Sequence, residues 1–135
     1  MKTRNMNQYK SILIFVCLFM ISCSKDADNN RDKAIHLGSI FKIESLGNIS
    51  LGQSDTILIS FSGGTDGCCH ADHLEVSTLG NTVLFKAYYN YPLEPQMCPQ
   101  NAPTFSTKYI FKPSSVGTYT YKSFNTAAES STEVK

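Results

Sequence analysis

The chain has 135 residues, with 12 Lys or Arg balanced by 11 Asp or Glu. That balance, with no basic run, excludes a nucleic-acid partner, which needs a positive surface to meet phosphates. The length allows one hydrophobic core and not two domains.

At the start, Lys2, Arg4 and Lys10 precede an apolar run over residues 12–21, and Ser22 and Cys23 follow it. A spanning helix needs about 20 apolar residues, and this run has half that. It fits the h-region of a secretory signal. A basic start, a short apolar stretch and a small residue directly before a cysteine resemble the signal peptide of bacterial lipoproteins. Met20 stands where that family prefers Leu, and Cys17 is a poorer cleavage partner because bulky Val16 precedes it. The resemblance implies that residues 1–22 are removed and that Cys23 becomes the lipid attachment site, with two or more acyl chains, palmitate among them. Two chains anchor a protein stably where one does not. It implies a cell-envelope location, at the outer membrane, with the membrane as a partner. An ordinary secretory signal or a single-span anchor are the alternatives.

Residues 23–36 read as a lipidated N-terminus and tether, polar and without apolar periodicity. Asp26 and Asp28 resemble the surface-export signal of some Gram-negative lipoproteins, so the domain faces either the cell surface or the periplasm. Loss of Lys2, Arg4 and Lys10 with the signal leaves nine basic against eleven acidic residues.

From residue 37 to 135 the pattern alternates at period two, the mark of half-buried strands. Phe41 and Ile43 share one parity. Ile57, Ile59 and Phe61 form the apolar face of residues 55–61, and Leu74 and Val76 that of residues 73–77. Val83, Phe85, Ala87 and Tyr89 make the clearest strip. Phe105, Tyr109 and Phe111 follow, then Tyr119 and Tyr121, with a short last strand near residues 131–134. Gly47-Asn48, Gly63-Gly64 and Pro113-Ser114-Ser115 punctuate the strips, and Leu79-Gly80-Asn81-Thr82 reads as a tight hairpin. About seven short strands at roughly ten-residue spacing predict an all-β, two-sheet antiparallel sandwich.

Two segments resemble immunoglobulin-like bacterial modules. Ile49-Ser50-Leu51-Gly52-Gln53 with Thr56-Ile57-Leu58-Ile59 is similar to the turn into their second strand. Pro113-Ser114-Ser115-Val116-Gly117-Thr118-Tyr119 is similar to the turn into their penultimate strand. The resemblance implies an immunoglobulin-like sandwich, without the disulfide and core Trp of antibody domains. A small closed barrel is the alternative.

With Cys17 lost and Cys23 lipidated, an odd trio remains: Cys68, Cys69 and Cys98. An odd count in an exported protein needs an explanation. One reading is a structural disulfide from Cys98 to Cys68 or Cys69, clipping a proline-rich loop to a glycine-rich one. Carrying the parity of Leu74 and Val76 backwards puts Cys68 on the core side. The other reading is a zinc or copper site using Cys69, His70 and His73, with Cys98, Asp72 and Met97 as further ligands. Against it, His70 and His73 have opposite strand parity. A cysteine nucleophile beside His70 or His73 lacks any supporting motif, and no cofactor is implied.

Tyr88, Tyr89 and Tyr91 cluster before the proline-rich loop of residues 91–103. They suit a binding loop or the packed end of a sandwich. His36 reads as a surface residue. The expected function is therefore a non-enzymatic, membrane-anchored extracytoplasmic module with a protein or glycan partner. The alternative is a metal-binding or redox lipoprotein built on the cysteine–histidine segment.

Overall fold

The computed structural model describes residues 33–94 and 97–135. The segments expected to be a signal peptide, a lipidated Cys23 and a tether lie, up to residue 32, outside the described residues.

Among the described residues nine strands form two packed sheets: β1 (Lys33–Leu37), β2 (Ser39–Glu44), β3 (Asn48–Ile49), β4 (Asp55–Ser62), β5 (His70–Leu79), β6 (Thr82–Pro92), β7 (Thr104–Phe111), β8 (Gly117–Ser123) and β9 (Glu129–Val134). The small sheet runs β2-β4-β7, and the large one contains the other six strands. The expected sandwich is what forms. It differs from expectation in strand count and in two parallel contacts, β6 with β8 and β3 with β9. The hairpin of β5 and β6 places β6, rather than β5, beside β8. β6 is long enough to be shared along that edge: its residues 82–85 pair with β8 and residues 88–92 with β1, while β5 takes the opposite edge.

Alternation sets the core. Ile57, Ile59 and Phe61 of β4 face Val83, Phe85 and Ala87 of β6 and Tyr119 and Tyr121 of β8, all buried. Burying a side chain such as Phe85 contributes roughly 1.5–3 kcal/mol. The hairpin forms as read, with Leu79 opposite Thr82 and Gly80 at φ 58°, a left-handed conformation that suits glycine. Tyr119 donates its hydroxyl to the carbonyl of Ser115, 3.2 Å away, tying the turn into β8 in the manner of a tyrosine corner.

Two expectations need correction. Phe41 is 55% exposed, and Ile40 takes the core position beside Ile43. An irregularity in the β2–β4 register between Ile40 and Lys42 shifts the parity by one residue. Residues 33–36, expected in the tether, belong to β1. Ile35, Leu37 and His36 of that strand are exposed, His36 being a surface residue as expected although it stacks on Tyr89, and Ala34 is half-buried opposite Tyr91.

Asp55 is a fully buried carboxylate at the start of β4. It accepts hydrogen bonds from Tyr121 Oη of β8 at 3.2 Å, from Thr132 Oγ1 of β9, and from the backbone amide of Leu46 at 3.1 Å. The group thus joins the two sheets. Burial, with the negative Asp55 beside it, pushes the Tyr121 phenol up to about 12.

Candidate functional site

The glycine-rich turn and the proline-rich loop are joined covalently. Cys68 and Cys98 form a disulfide with Cα atoms 5.2 Å apart and a sequence separation of 30. Backbone bonds reinforce the junction, from Gly67 N–H to the Pro99 carbonyl (2.8 Å) and from Gly63 N–H to the Pro103 carbonyl (3.2 Å). Cys68 is the expected partner, but parity does not explain it. Both cysteines are buried, and the β5–β6 register shifts between Ala71 and Leu74, so alternation does not carry back to the turn.

Cys69 is the free cysteine among the described residues, and its residue is 3% exposed. Its sulfur accepts from Gly64 N–H at 3.2 Å and donates to the Asp66 carbonyl at 3.4 Å. Gly63 and Gly64 make room for this turn. A Cβ on Gly63 would sit 2.8 Å from the Cys69 sulfur, and one on Gly64 would overlap Tyr91 Oη. The thiol packs as a small buried hydrophobe.

The metal constellation is not assembled. Among the described residues, three ligand atoms come within 4.8 Å of one another only at Asp66, Cys68 and Cys98. The disulfide consumes both sulfurs of that set. His70 is exposed on β5 opposite Asn90, and His73 turns to the outer face of the large sheet. Cys69, held under the turn, meets neither to form a ligand set.

The three tyrosines also diverge, because neighbours on a strand point to opposite faces. Tyr89 and Tyr91 lie on the inner side. Tyr91 Oη accepts from Thr65 N–H at 3.0 Å, and His36 stacks on Tyr89 with ring centroids 5.5 Å apart. Burial, with Tyr91 and Cys69 nearby, raises the Tyr89 phenol above its ordinary value. These two rings brace the turn instead of offering a free surface.

Tyr88 faces outward and anchors a polar and aromatic strip along β5 and β6. His73 stacks on it at 4.5 Å and 11° between planes. His73 Nδ1 donates to Asp72 Oδ2 at 2.5 Å, and the buried Asn90 donates to Asp72 Oδ1 at 2.7 Å. Those two hydrogen bonds, that of His73 first, hold the Asp72 carboxyl below its usual range. Tyr88 Oη donates to Glu75 Oε2 at 3.1 Å, which keeps the Glu75 carboxyl low, while partial burial and Glu75 raise the phenol. Lys86 reaches Glu75 at 3.4 Å and lies over the Phe124 ring, 4.7 Å from its centroid. A shallow groove of about 180 Å³ continues the strip between Glu75, Ser77, Leu84 and Lys86. Leu37 and Ile35 flank it from β1, opposite Tyr88 and Asn90.

The strip combines flat ring surface, two carboxylates fixed by their donors and one ammonium, an arrangement suited to binding. The sequence singles out Tyr88 and His73 but suggests different sites for them. Asn90, Glu75 and Lys86 escape it, although period-two spacing from Tyr88 places Lys86 and Asn90 on its face. No protein-family model, curated protein or solved structure matches the chain.

Proposed function

We propose that the chain is a lipid-anchored protein of the bacterial cell envelope, held at the outer membrane through acyl chains on Cys23. Its sandwich is a non-enzymatic module that binds a protein or glycan partner through the outer face of β5, β6 and β1. The strip from Asn90 and Asp72 through His73 and Tyr88 to Glu75 and Lys86 carries this reading. Its side chains are already fixed by one another, so little rotamer freedom is lost when a partner arrives. Tyrosine with flanking hydrogen-bonding groups is the composition of energetic anchors at interfaces. The compartment is supported by the sequence around Cys23 and by the Cys68–Cys98 staple, a device of small exported domains.

Two measurements test the reading. Labelling with a palmitate analogue should be lost in Cys23→Ala, and unchanged labelling would sink the anchor. Glycan-array binding and in-cell cross-linking of the envelope partner should fall at least tenfold in Tyr88→Ala, about 1.4 kcal/mol. Retained binding in that variant would remove the strip from the contact surface.

A further inference from the structure

We propose that Leu93 and Met97, at the disulfide-clipped end of the sandwich, enter the lipid surface that carries the anchor. The inference rests on lipidation at Cys23.

The two ends of the sandwich differ in their distance from that anchor along the chain. Lys33, the first residue of β1, pairs with Pro92, the last residue of β6. The chain therefore joins the large sheet at the end where the proline-rich loop leaves it. Lys33 lies ten positions after Cys23, and ten chain steps span at most about 36 Å in any conformation. β6 alone, at 11 residues, is about as long. The hairpin tip at Gly80 lies at the other end of that strand, a full strand length from Lys33.

At the near end two large apolar side chains stand in solvent. Leu93 is 59% exposed and Met97 fully so, at 100%. Each is held on one side by described chain. Leu93 follows the β6 pairing to β1, and Met97 precedes Cys98, which is bonded to Cys68. A soft, unbranched methionine adapts its shape to a disordered apolar phase. Lys33 is matched at this end by the carboxylates of Glu94 and of Asp66 beside the disulfide, so apolar contact, and not charge, is the attraction. Apolar exposure by itself does not single out this end: Leu79, at the hairpin tip, is 86% exposed. The anchor does.

The chain has no tryptophan, so one introduced at a chosen position reports alone. Full-length Met97→Trp, Leu93→Trp and Leu79→Trp proteins would be purified from bacterial membranes. Each would be reconstituted into phosphatidylethanolamine–phosphatidylglycerol vesicles containing lipids brominated along the acyl chain. Non-reducing mass with thiol counting confirms the disulfide in each variant. The expected result is blue-shifted emission quenched by bromolipid for Met97→Trp and Leu93→Trp, and neither effect for Leu79→Trp. Unquenched emission at Met97 and Leu93 in protein that carries acyl chains overturns the docking and leaves the anchor standing. A blue shift without bromolipid quenching also overturns it, since a protein surface then covers the loop. Absence of acyl chains on the purified protein overturns both inferences together.

Discussion

The sandwich is tied together differently at its two ends. At the end where Lys33 meets Pro92 the tie is covalent: Cys98 bonds Cys68, and the loop and turn around them share backbone hydrogen bonds. At the start of β4 the tie is a single buried carboxylate, Asp55, which gathers hydroxyls from β8 and β9. The covalent tie joins two loops that lack apolar periodicity and cannot bury much. The carboxylate joins strands that already share a packed core. A small domain thus places its disulfide where the hydrophobic effect is weakest, and risks a buried charge only where packing excludes water around it.

The comparison can be broken from either side. Asp55→Ala leaves the Tyr121 and Thr132 hydroxyls buried without their acceptor, at roughly 1–3 kcal/mol for each orphaned group. Urea denaturation should show a loss of about 3–5 kcal/mol, the same with or without reductant. The double variant Cys68→Ala, Cys98→Ala opens a loop closed by a bridge spanning 30 residues. Chain entropy puts its cost at about 3–4 kcal/mol. Hydrogen exchange should then rise at the Gly63 and Gly67 amides and stay unchanged at Tyr121 and Thr132. Equal loss at both ends would mean that the two ties are one cooperative unit.

Alkaline pH gives a smaller and more selective effect. Tyr121 holds its proton to about 12 in the folded chain, against an ordinary value of 10.0. Below pH 10 both states are protonated and the contribution is complete. Above it the unfolded chain loses the proton first, so stability falls as pH rises toward 12, by about 2–3 kcal/mol in all. Tyr121→Phe should remove that slope while keeping the ring packing. An unchanged slope between pH 10 and 12 would show that other groups cause it.

Much of the fold was legible because its strands obey one rule. β4, β6 and β8 each bury alternate residues against the opposite sheet, and their apolar faces stand out in the sequence. The failures arise where that rule is locally inverted or interrupted. β1 turns Ile35 and Leu37 outward and places His36 against Tyr89, so it does not read as a strand with a buried apolar face. The irregularity in β2 exchanges Phe41 for Ile40, and that in β5 uncouples the cysteines from the strand that follows. Partner choice between strands was not legible at all. Alternation says which side a residue faces and nothing about which neighbour lies beside it, so the parallel contact of β6 with β8 left no mark. The binding strip was half visible. His73 and Tyr88 stand out for their chemistry, but the stack between them depends on a cross-strand register that spacing within either strand does not encode.

The shared edge of β6 also sets how the domain bears a load. Any pull transmitted along the chain from upstream of Lys33 arrives at the pair Lys33–Pro92, and then at four further pairs of β1 with β6 in turn. A load that draws Lys33 away from the sheet opens these pairs one after another, whereas one directed along β1 loads them together in shear. β8 holds its own stretch of the same edge, further along β6. Under the first kind of load β1 can peel away and free its five residues while the core between the sheets stays closed.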